Sequence, residues 1–444
     1  MIRIANGQGF WGDWLEAPVR LVEQGPLDYL TLDYLAEVTM AILQKQRQRD
    51  PALGYATDFP PLMARLASKL RERGVRVVAN AGGLNPVGCA REVRRLAPDL
   101  RVSVVTGDDV TQRISEFVER GHALQNLDTG EPIAEIPGKV LSASVYLGAF
   151  PLAAALATGA DVVISGRCAD VALVMAPAIH RFAFRQDDWD RLAAAAVAGH
   201  IAECGAQTTG GNSQVDWMIL RDLDEIGYPI VEMQPDGVFE VTKHEGTGGR
   251  IDAHTVKEQI LYEIGDPRRY HTTDCIADFT TIRLEEPGKN RVRVTGVKGR
   301  QPGECLKVSI NYSAGWKAIG TLTYTWPQAI EKAQAADLIV RRRLARLGLE
   351  FDEIHTELLG VNACHGPASL LSADPPEVQL RIGVRGRDRG AVERFTRELI
   401  PLVLSGPPGA TGYGEGRPEV REVVAYWPAL LPRSEITPRV EVVE

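Results

Sequence analysis

Through residues 1–265, short apolar runs alternate with longer segments in which apolar residues recur at helical spacing. The run "VRVVANA" is typical of a buried strand, and the following "NPVGCAREVRRLAP" has the period of an amphipathic helix. Strands alternating with helices in this way form a parallel sheet, because two parallel neighbours need a long crossover connection. The sequence therefore predicts an N-terminal α/β unit, an open parallel sheet with helical crossovers.

The pattern changes at about residue 271. Segments such as "FTTIRLEEPGKNRVRVTGVKG" alternate apolar and polar residues around Gly, Asn and Lys, which is typical of antiparallel hairpins with one solvated face. Two helix-length amphipathic segments follow, at 327–349 and 389–406. We therefore predict two domains: residues 1–270 as an α/β ligand-binding domain, and residues 271–444 as an α+β domain with antiparallel strands and two helices.

Charge and cysteine content exclude several classes of protein. The formal net charge of −8 provides no positive field that would attract nucleic acid or an anionic membrane surface. The six cysteines include no CxxC pair, which is typical of reduced thiols, so we expect a cytoplasmic protein. The N-terminus lacks the basic and apolar segments of a signal peptide, and Pro151 and Asp161 interrupt the longest apolar region, so we expect no membrane association.

Glycine-rich loops follow several predicted strands. Ligands of open α/β sheets bind outside the carboxyl ends of the strands, where such loops lie. Backbone amides in glycine-rich loops can hold a phosphate or a carboxylate, but a tight turn can also need glycine for its geometry alone. The predicted ligand-binding residues in these loops are Gly7, Gly9, Asn80, Gly82, Gly83, Asn85, Thr247, Gly248 and Gly249.

Charged residues also follow two of the strands. Asp33 and Glu37 would share one helical face, where mutual repulsion raises one pKa and creates an acid/base pair. The alternative is that one of them caps the helix. Arg167 at the next strand end could bind a carboxylate or phosphate in bidentate fashion, with Asp170 orienting it; an internal Arg–Asp pair is the alternative.

Residues 199–213 form the densest polar stretch of the chain. Glu203 is a candidate general base and Cys204 a candidate nucleophile, while a helix end followed by a glycine turn would explain the stretch without chemistry. The predicted ligand contacts of this stretch are Gly210, Gly211 and Asn212.

His244 is a further acid/base candidate, because the pKa of histidine ordinarily lies near neutrality. No HExxH or 2-His-1-carboxylate spacing is present, so no metal site is predicted.

Several motifs together resemble the acyclic terpene utilisation (AtuA) family over nearly the whole chain: "GFWGD", "LDYLAEVTMAIL", "NAGGLNP", "SGRCAD", "ECGAQTTGGN", "HEGTGGRI" and "TVKEQILYEIGDP". The resemblance implies a role in the breakdown of branched acids as coenzyme A thioesters, beside acyl-CoA carboxylases and enoyl-CoA hydratases. Many relatives carry an extra small C-terminal domain, which this chain is expected to lack.

Two classes of function fit these observations. The leading hypothesis is an enzyme, a hydratase-type lyase or an isomerase, that acts on an acyl-CoA or small carboxylate by acid/base chemistry. The alternative is a non-catalytic binding or assembly subunit of an acyl-CoA carboxylase pathway; acyl transfer through Cys204 is a third hypothesis. No dinucleotide fingerprint or biotin attachment site is present, so we predict no cofactor beyond coenzyme A as part of the substrate. We also expect a homo-oligomer.

Overall fold

The computed structural model describes residues 1–136, 138–214, 217–369, 374–412 and 416–444. The chain forms two compact units. The first unit comprises Met1–Glu135, Leu141–Ile310 and Tyr426–Glu444, and the second comprises Ile136–Val140 and Asn311–Ala425. The change of pattern near residue 271 therefore lies within the first unit, and the longer segment of the second unit begins at Asn311.

Helices and strands are numbered in chain order. The helices are α1 (Glu16–Gln24), α2 (Glu37–Arg49), α3 (Phe59–Arg73), α4 (Pro86–Leu96), α5 (Ile114–Glu119), α6 (Ala149–Ala157), α7 (Ala172–Phe182), α8 (Trp189–Ala202), α9 (Ala253–Leu261), α10 (Ala329–Arg346), α11 (Arg389–Phe395) and α12 (Leu402–Ser405). The strands are β1 (Ile2–Asn6), β2 (Tyr29–Leu32), β3 (Arg76–Ala79), β4 (Val102–Thr106), β5 (Val140–Val145), β6 (Val162–Ser165), β7 (Ile230–Met233), β8 (Phe239–Thr242), β9 (Tyr270–His271), β10 (Ile276–Asp278), β11 (Arg283–Gly288), β12 (Arg291–Thr295), β13 (Lys298–Arg300), β14 (Cys305–Thr325), β15 (Glu353–Leu359), β16 (Glu377–Gly386), β17 (Arg421–Pro432) and β18 (Arg439–Val443).

The first unit is built on a large mixed sheet. Its strand order in the described residues is β11-β12-β8-β7-β1-β2-β3-β6-β4-β18. The five central strands, β1 to β4 and β6, run parallel, which confirms the predicted parallel sheet with crossovers. Antiparallel strands extend this core on both sides, through β7 next to β1 and through β18 next to β4. The side chains of Val77 and Val78, which point to opposite faces of the sheet, are both fully buried.

The antiparallel strands predicted for the C-terminal part are also present. In the second unit β16 pairs antiparallel with β14 and β15, and α10 and α11 pack against β16. The single helix predicted at 389–406 is wrong, because α11 ends at Phe395 and α12 begins only at Leu402. Pro401 directly precedes α12 and lacks the N–H that a continuous helix would need at that position.

None of the helices in the described ranges has both the length and the apolar character of a membrane-spanning segment.

Candidate functional site

The carboxyl ends of β2, β3 and β6 bring together four of the predicted residues: Asp33, Asn80, Arg167 and Asp170. The side-chain amide of Asn80 donates a 2.7 Å hydrogen bond to Oδ1 of Asp33, and its carbonyl oxygen accepts one of 2.7 Å from the Tyr34 amide. Burial raises the pKa of Asp33 well above its ordinary value, and the nearby Asp170 raises it further. Asp33 is therefore held as a buried acid that favours its protonated form.

Arg167 is the largest side chain that is fully buried in the described part of the chain. Its Nη1 donates to the Leu35 carbonyl at 2.5 Å and to Oδ1 of Asp170 at 2.9 Å. The guanidinium also lies over the Tyr146 ring, 4.1 Å from its centroid, as a cation–π contact. Its Nε has no hydrogen-bond partner among the described residues. The internal Arg–Asp pair therefore exists, and it leaves the Nε–H of the guanidinium unused.

Glu37 is held as an anion by its neighbours. Its Oε1 accepts a hydrogen bond from the Tyr146 hydroxyl and lies 3.3 Å from Nζ of Lys307. Burial alone would raise the pKa of Glu37, but the hydrogen bond from Tyr146 and the charge of Arg167 outweigh it and lower that pKa to about 2. A carboxylate with so low a pKa is a poor proton acceptor at neutral pH.

The predicted Asp33/Glu37 pair on one helical face is wrong. Helix α2 begins at Glu37, so Asp33 precedes the helix, at the end of β2. The pKa of Asp33 is raised chiefly by burial and by Asp170, whereas that of Glu37 is lowered. The i, i+4 rule does not apply to a pair of which only one member is helical.

Glu203 directly follows α8 and pairs with a buried histidine. Its Oε1 lies 3.0 Å from Nδ1 of His200, while its Oε2 has no hydrogen-bond partner within the described residues. Burial raises the pKa of Glu203 to about 7, although His200 opposes the increase. Burial alone would lower the pKa of His200, but its hydrogen bond with Glu203 raises it. Glu203 is thus a carboxyl group that gains and loses its proton near neutral pH.

Asn6 holds the end of α8 against the sheet. Its side-chain amide donates to the carbonyl oxygens of Ala202 and Glu203, at 2.8 and 2.9 Å. The Thr31 hydroxyl in turn donates to Oδ1 of Asn6 at 3.1 Å. Because Asn6 is the last residue of β1, these bonds fix the backbone of Glu203 at the carboxyl edge of the parallel strands.

A cavity of about 670 Å³ in the first unit has Glu203 in its wall. Its ionisable and hydroxyl-bearing lining includes Tyr146, Asp170, Glu203, Tyr270, Glu304 and Lys307. Its apolar lining includes Leu127, Val171, Leu306 and Leu430. Carboxyl groups, one ammonium group and an apolar surface therefore meet in a space large enough for a small organic acid or an acyl group.

The glycines near the parallel strands have structural roles. Three of their amides already donate hydrogen bonds: Gly7 to the Thr31 carbonyl, Gly9 to Oδ2 of Asp13, and Gly82 to the Ser165 carbonyl. Gly83 has a positive φ of 50°, and a Cβ there would lie 2.2 Å from Cδ1 of Leu43. The predicted anion-binding role of Gly7, Gly9 and Gly82 is therefore wrong, because their amides already donate hydrogen bonds within the protein.

Asn85 also serves the fold, as the N-cap of α4. Its Oδ1 accepts from the Gly88 amide at 3.0 Å, and its Nδ2 donates to the Ala52 and Leu53 carbonyls. Pro86 begins the helix, as expected from its fixed φ. The predicted role of Asn85 as a ligand contact is replaced by capping.

The remaining predicted glycine turns lie apart from the cavity lining. The amides of Gly210, Gly211, Gly248 and Gly249 donate to the carbonyls of Gln207, Ala206, Glu225 and Arg221, respectively. A Cβ at Gly248 would lie 1.7 Å from the Asp222 carbonyl oxygen, so only glycine fits this backbone contact. The Thr247 hydroxyl donates to the His244 carbonyl, and Asn212 is exposed with a positive φ of 56°. Backbone packing thus explains the glycines that the sequence analysis assigned to anion binding.

Two of the predicted catalytic residues are not arranged for catalysis in this cavity. His244 does not line it; Nε2 of His244 lies 3.1 Å from the Leu21 carbonyl oxygen, and burial lowers its pKa. Burial raises the pKa of the Cys204 thiol to about 12, which leaves almost no thiolate at neutral pH. This does not favour acyl transfer through Cys204.

Tyr146 and Lys307 are among the residues of the site that were not predicted. Tyr146 directly follows β5, and its ring would have been found by applying the strand-end rule to the segment "SASVYLG". Lys307 occupies an alternating strand, where a lysine is ordinarily solvated, so no local signal distinguishes it. Among the described residues, no group of three or more His, Cys, Asp or Glu side chains could hold a metal ion.

The chain matches the family described as "Acyclic terpene utilisation family protein AtuA" over residues 2–442, and it therefore belongs to this family. Family membership associates the chain with acyclic terpene utilisation. No curated protein and no solved structure matches the chain.

Proposed function

We propose that the chain is an acid/base enzyme of branched-chain acid or acyclic terpenoid breakdown, acting on an acyl-CoA or a small carboxylate. The observation that carries the proposal is Glu203, a cavity-lining carboxyl group with a pKa of about 7 and a histidine partner. An acid/base group works best when its pKa lies near the working pH, because both protonation states are then available.

In the proposed step, ionised Glu203 removes the proton from the carbon next to the substrate carbonyl. The electron pair of the broken C–H bond moves toward the carbonyl oxygen, which becomes an enolate. The ammonium of Lys307, in the same cavity wall, stabilises this negative charge. Protonated Glu203 then returns the proton, either to another carbon of the substrate or to a departing β-hydroxyl. The first outcome is isomerisation, and the second is dehydration, whose reverse is hydration.

The apolar part of the cavity lining supports a substrate with an apolar acyl chain, next to the polar part formed by Glu203 and Lys307. Leu306 and Val171 are buried, and the side chains of Leu127 and Leu430 are half exposed. Such a surface suits a branched hydrocarbon chain. The family description, acyclic terpene utilisation, agrees with a substrate of this kind. The coenzyme A moiety and a homo-oligomeric state stay predictions.

Cys305 provides a direct test of where the substrate binds. This exposed thiol lines the cavity, whereas the exposed Cys364 belongs to the second unit and serves as an internal control. We expect branched acyl-CoA thioesters or the matching free acids to slow alkylation of Cys305 without changing that of Cys364. The measurement is peptide mass spectrometry after timed alkylation. Unchanged labelling of Cys305 with every compound would contradict binding in this cavity and would favour the assembly-subunit alternative.

Glu203→Gln tests the chemistry separately from binding. The variant keeps the shape of the side chain and removes its basicity, so we expect turnover to fall by at least about 100-fold while the ligand still protects Cys305. The matched control is Glu304→Gln, an exposed carboxylate of the same cavity, for which we expect nearly normal turnover. Equal activity of the Glu203→Gln variant and the native enzyme would refute the role of Glu203.

A further inference from the structure

A second cavity in the first unit, of about 640 Å³, has none of its lining residues in common with the Glu203 cavity. It is formed by the start of β1, the segment after α1, the loop after β8 and the turn between β11 and β12. Its cationic lining consists of Arg3, Lys243, Lys289 and Arg291. The carboxylate in its lining is that of Glu245, which is exposed.

The two arginines of this cavity are neutralised by carboxylates behind the wall. Arg3 and Arg291 both form ion pairs with Glu232, whose side chain is only 5% exposed. Arg291 also pairs with Glu240, at 2.9 Å. Because these carboxylates already pair with the two guanidinium groups, the two lysines are the cationic lining residues that remain to be considered.

Lys243 and Lys289 form no ion pair within the described ranges of the chain. Lys243 is only 7% exposed, and its Nζ donates to the carbonyl and hydroxyl oxygens of Thr247, at 2.7 and 3.1 Å, so one of its three N–H groups is left over. Burial lowers the pKa of Lys243, and the nearby Lys289 lowers it further. A buried ammonium repelled by a second ammonium is unfavourable unless a nearby anion offsets the repulsion.

We propose that this cavity binds a phosphate group, held by the ammonium groups of Lys243 and Lys289. A phosphate carries the negative charge and the several acceptor oxygens that suit two lysines lining one cavity without a carboxylate partner. The proposal does not depend on the reaction at Glu203, because it concerns a separate cavity and a binding event alone.

The test is isothermal titration of the whole protein with inorganic phosphate, with sodium chloride added to keep the ionic strength constant. We expect saturable binding to the native protein and at least about tenfold weaker binding to Lys243→Met and to Lys289→Met. Lys69→Met is the matched control, because Lys69 lies on α3 and pairs with Glu72; its affinity for phosphate should equal that of the native protein. Lys289 is exposed, so its variant tests the proposal even if Lys243→Met fails to fold.

A second titration, with coenzyme A and with dephospho-coenzyme A, identifies the source of the phosphate. Tighter binding of coenzyme A that is lost in Lys289→Met would mean that the cavity holds a phosphate ester of a nucleotide. Equally tight, lysine-dependent binding of both compounds would mean that the cavity holds their shared diphosphate. Failure of both compounds to bind, beside lysine-dependent binding of inorganic phosphate, would mean that it holds free phosphate. Absence of phosphate binding, or equal affinity of the native protein and both lysine variants, would overturn the proposal, whatever the activity of the enzyme.

Discussion

The pKa of Glu203 makes a quantitative prediction about stability. Burial raises this pKa from its ordinary value of 4.5 to about 7, and a shift of that size corresponds to about 3 kcal/mol. The folded protein therefore keeps the Glu203 proton up to about pH 7, whereas the unfolded chain releases it near pH 4.5. Because the folded state binds more protons in this window, its stability falls as the pH rises from 4.5 to 7.

His200 contributes with the same sign. The pKa of His200 is raised in the folded state by its bond with Glu203, so the stabilisation it provides at low pH is also lost as the pH rises. In Glu203→Gln the side chain at this position no longer titrates, and the partner that raises the pKa of His200 is removed. The variant should therefore gain stability over the native protein by about 2 to 3 kcal/mol between pH 5 and pH 8, while losing its activity.

The assay is urea unfolding of the native protein and of Glu203→Gln at several pH values from 5 to 8. Subtracting the two free energies of unfolding removes the contributions of all other titrating groups that the variants share. The exposed Glu304→Gln variant should show the same pH dependence as the native protein. If the native protein and Glu203→Gln gave parallel stability curves over this range, the raised pKa of Glu203, and with it the argument for a general base, would be refuted.

Three further substitutions test other parts of the structure. Asn6→Ala removes the donor to the Ala202 and Glu203 carbonyls. We expect kcat to fall with little change in KM, and the free energy of unfolding to fall by about 1 to 2 kcal/mol. A larger KM with normal kcat would contradict a positioning role. Tyr146→Phe removes the hydroxyl donor of the half-buried Glu37 carboxylate, and urea unfolding at pH 7 should show a loss of about 1 kcal/mol, whereas unchanged stability would mean that the bond is unimportant. Gly83→Ala should lower the melting temperature clearly more than Gly74→Ala. Both glycines have a positive φ, but only at Gly83 would the new Cβ meet Leu43 and the Gly54 carbonyl. Similar decreases in melting temperature would argue against the packing role of Gly83.

The parallel core of the first unit was predictable because each strand carries its signal locally. The runs that became β3 and β6 contain three consecutive apolar residues each, "VVA" and "VVI", as is typical of strands buried on both faces. The antiparallel extension was not predictable. β18, from the last residues of the chain, pairs with β4 in the register Val440 to Val105, and no local period identifies a partner so distant in sequence.

The candidate site also contains residues that the sequence predicts and residues that it does not. Asp33, Asn80, Arg167 and Asp170 were found because each follows a parallel strand, and strand ends meet at one edge of the sheet. The ammonium of Lys307 reaches Glu37 only because distant segments fold together, and its strand has the ordinary alternating pattern.

The anion-binding role predicted for the glycine loops failed for a different reason. Glycine is required wherever two backbones approach closely, so its presence alone does not distinguish a ligand cradle from the tight contact that Gly248 makes with the Asp222 carbonyl.

The central claim is that Glu203 moves the proton next to a substrate carbonyl. Its most direct test is hydrogen exchange in D₂O: branched acyl-CoA thioesters and the matching free acids are incubated with the protein, and deuterium at the α-carbon is measured by NMR. This readout needs no knowledge of the final product, because hydration, dehydration and isomerisation all pass through the same proton transfer. We predict α-deuteration of at least one compound by the native protein and none above background by Glu203→Gln. Equal exchange with both proteins, or no exchange with a compound that protects Cys305 from alkylation, would contradict the account.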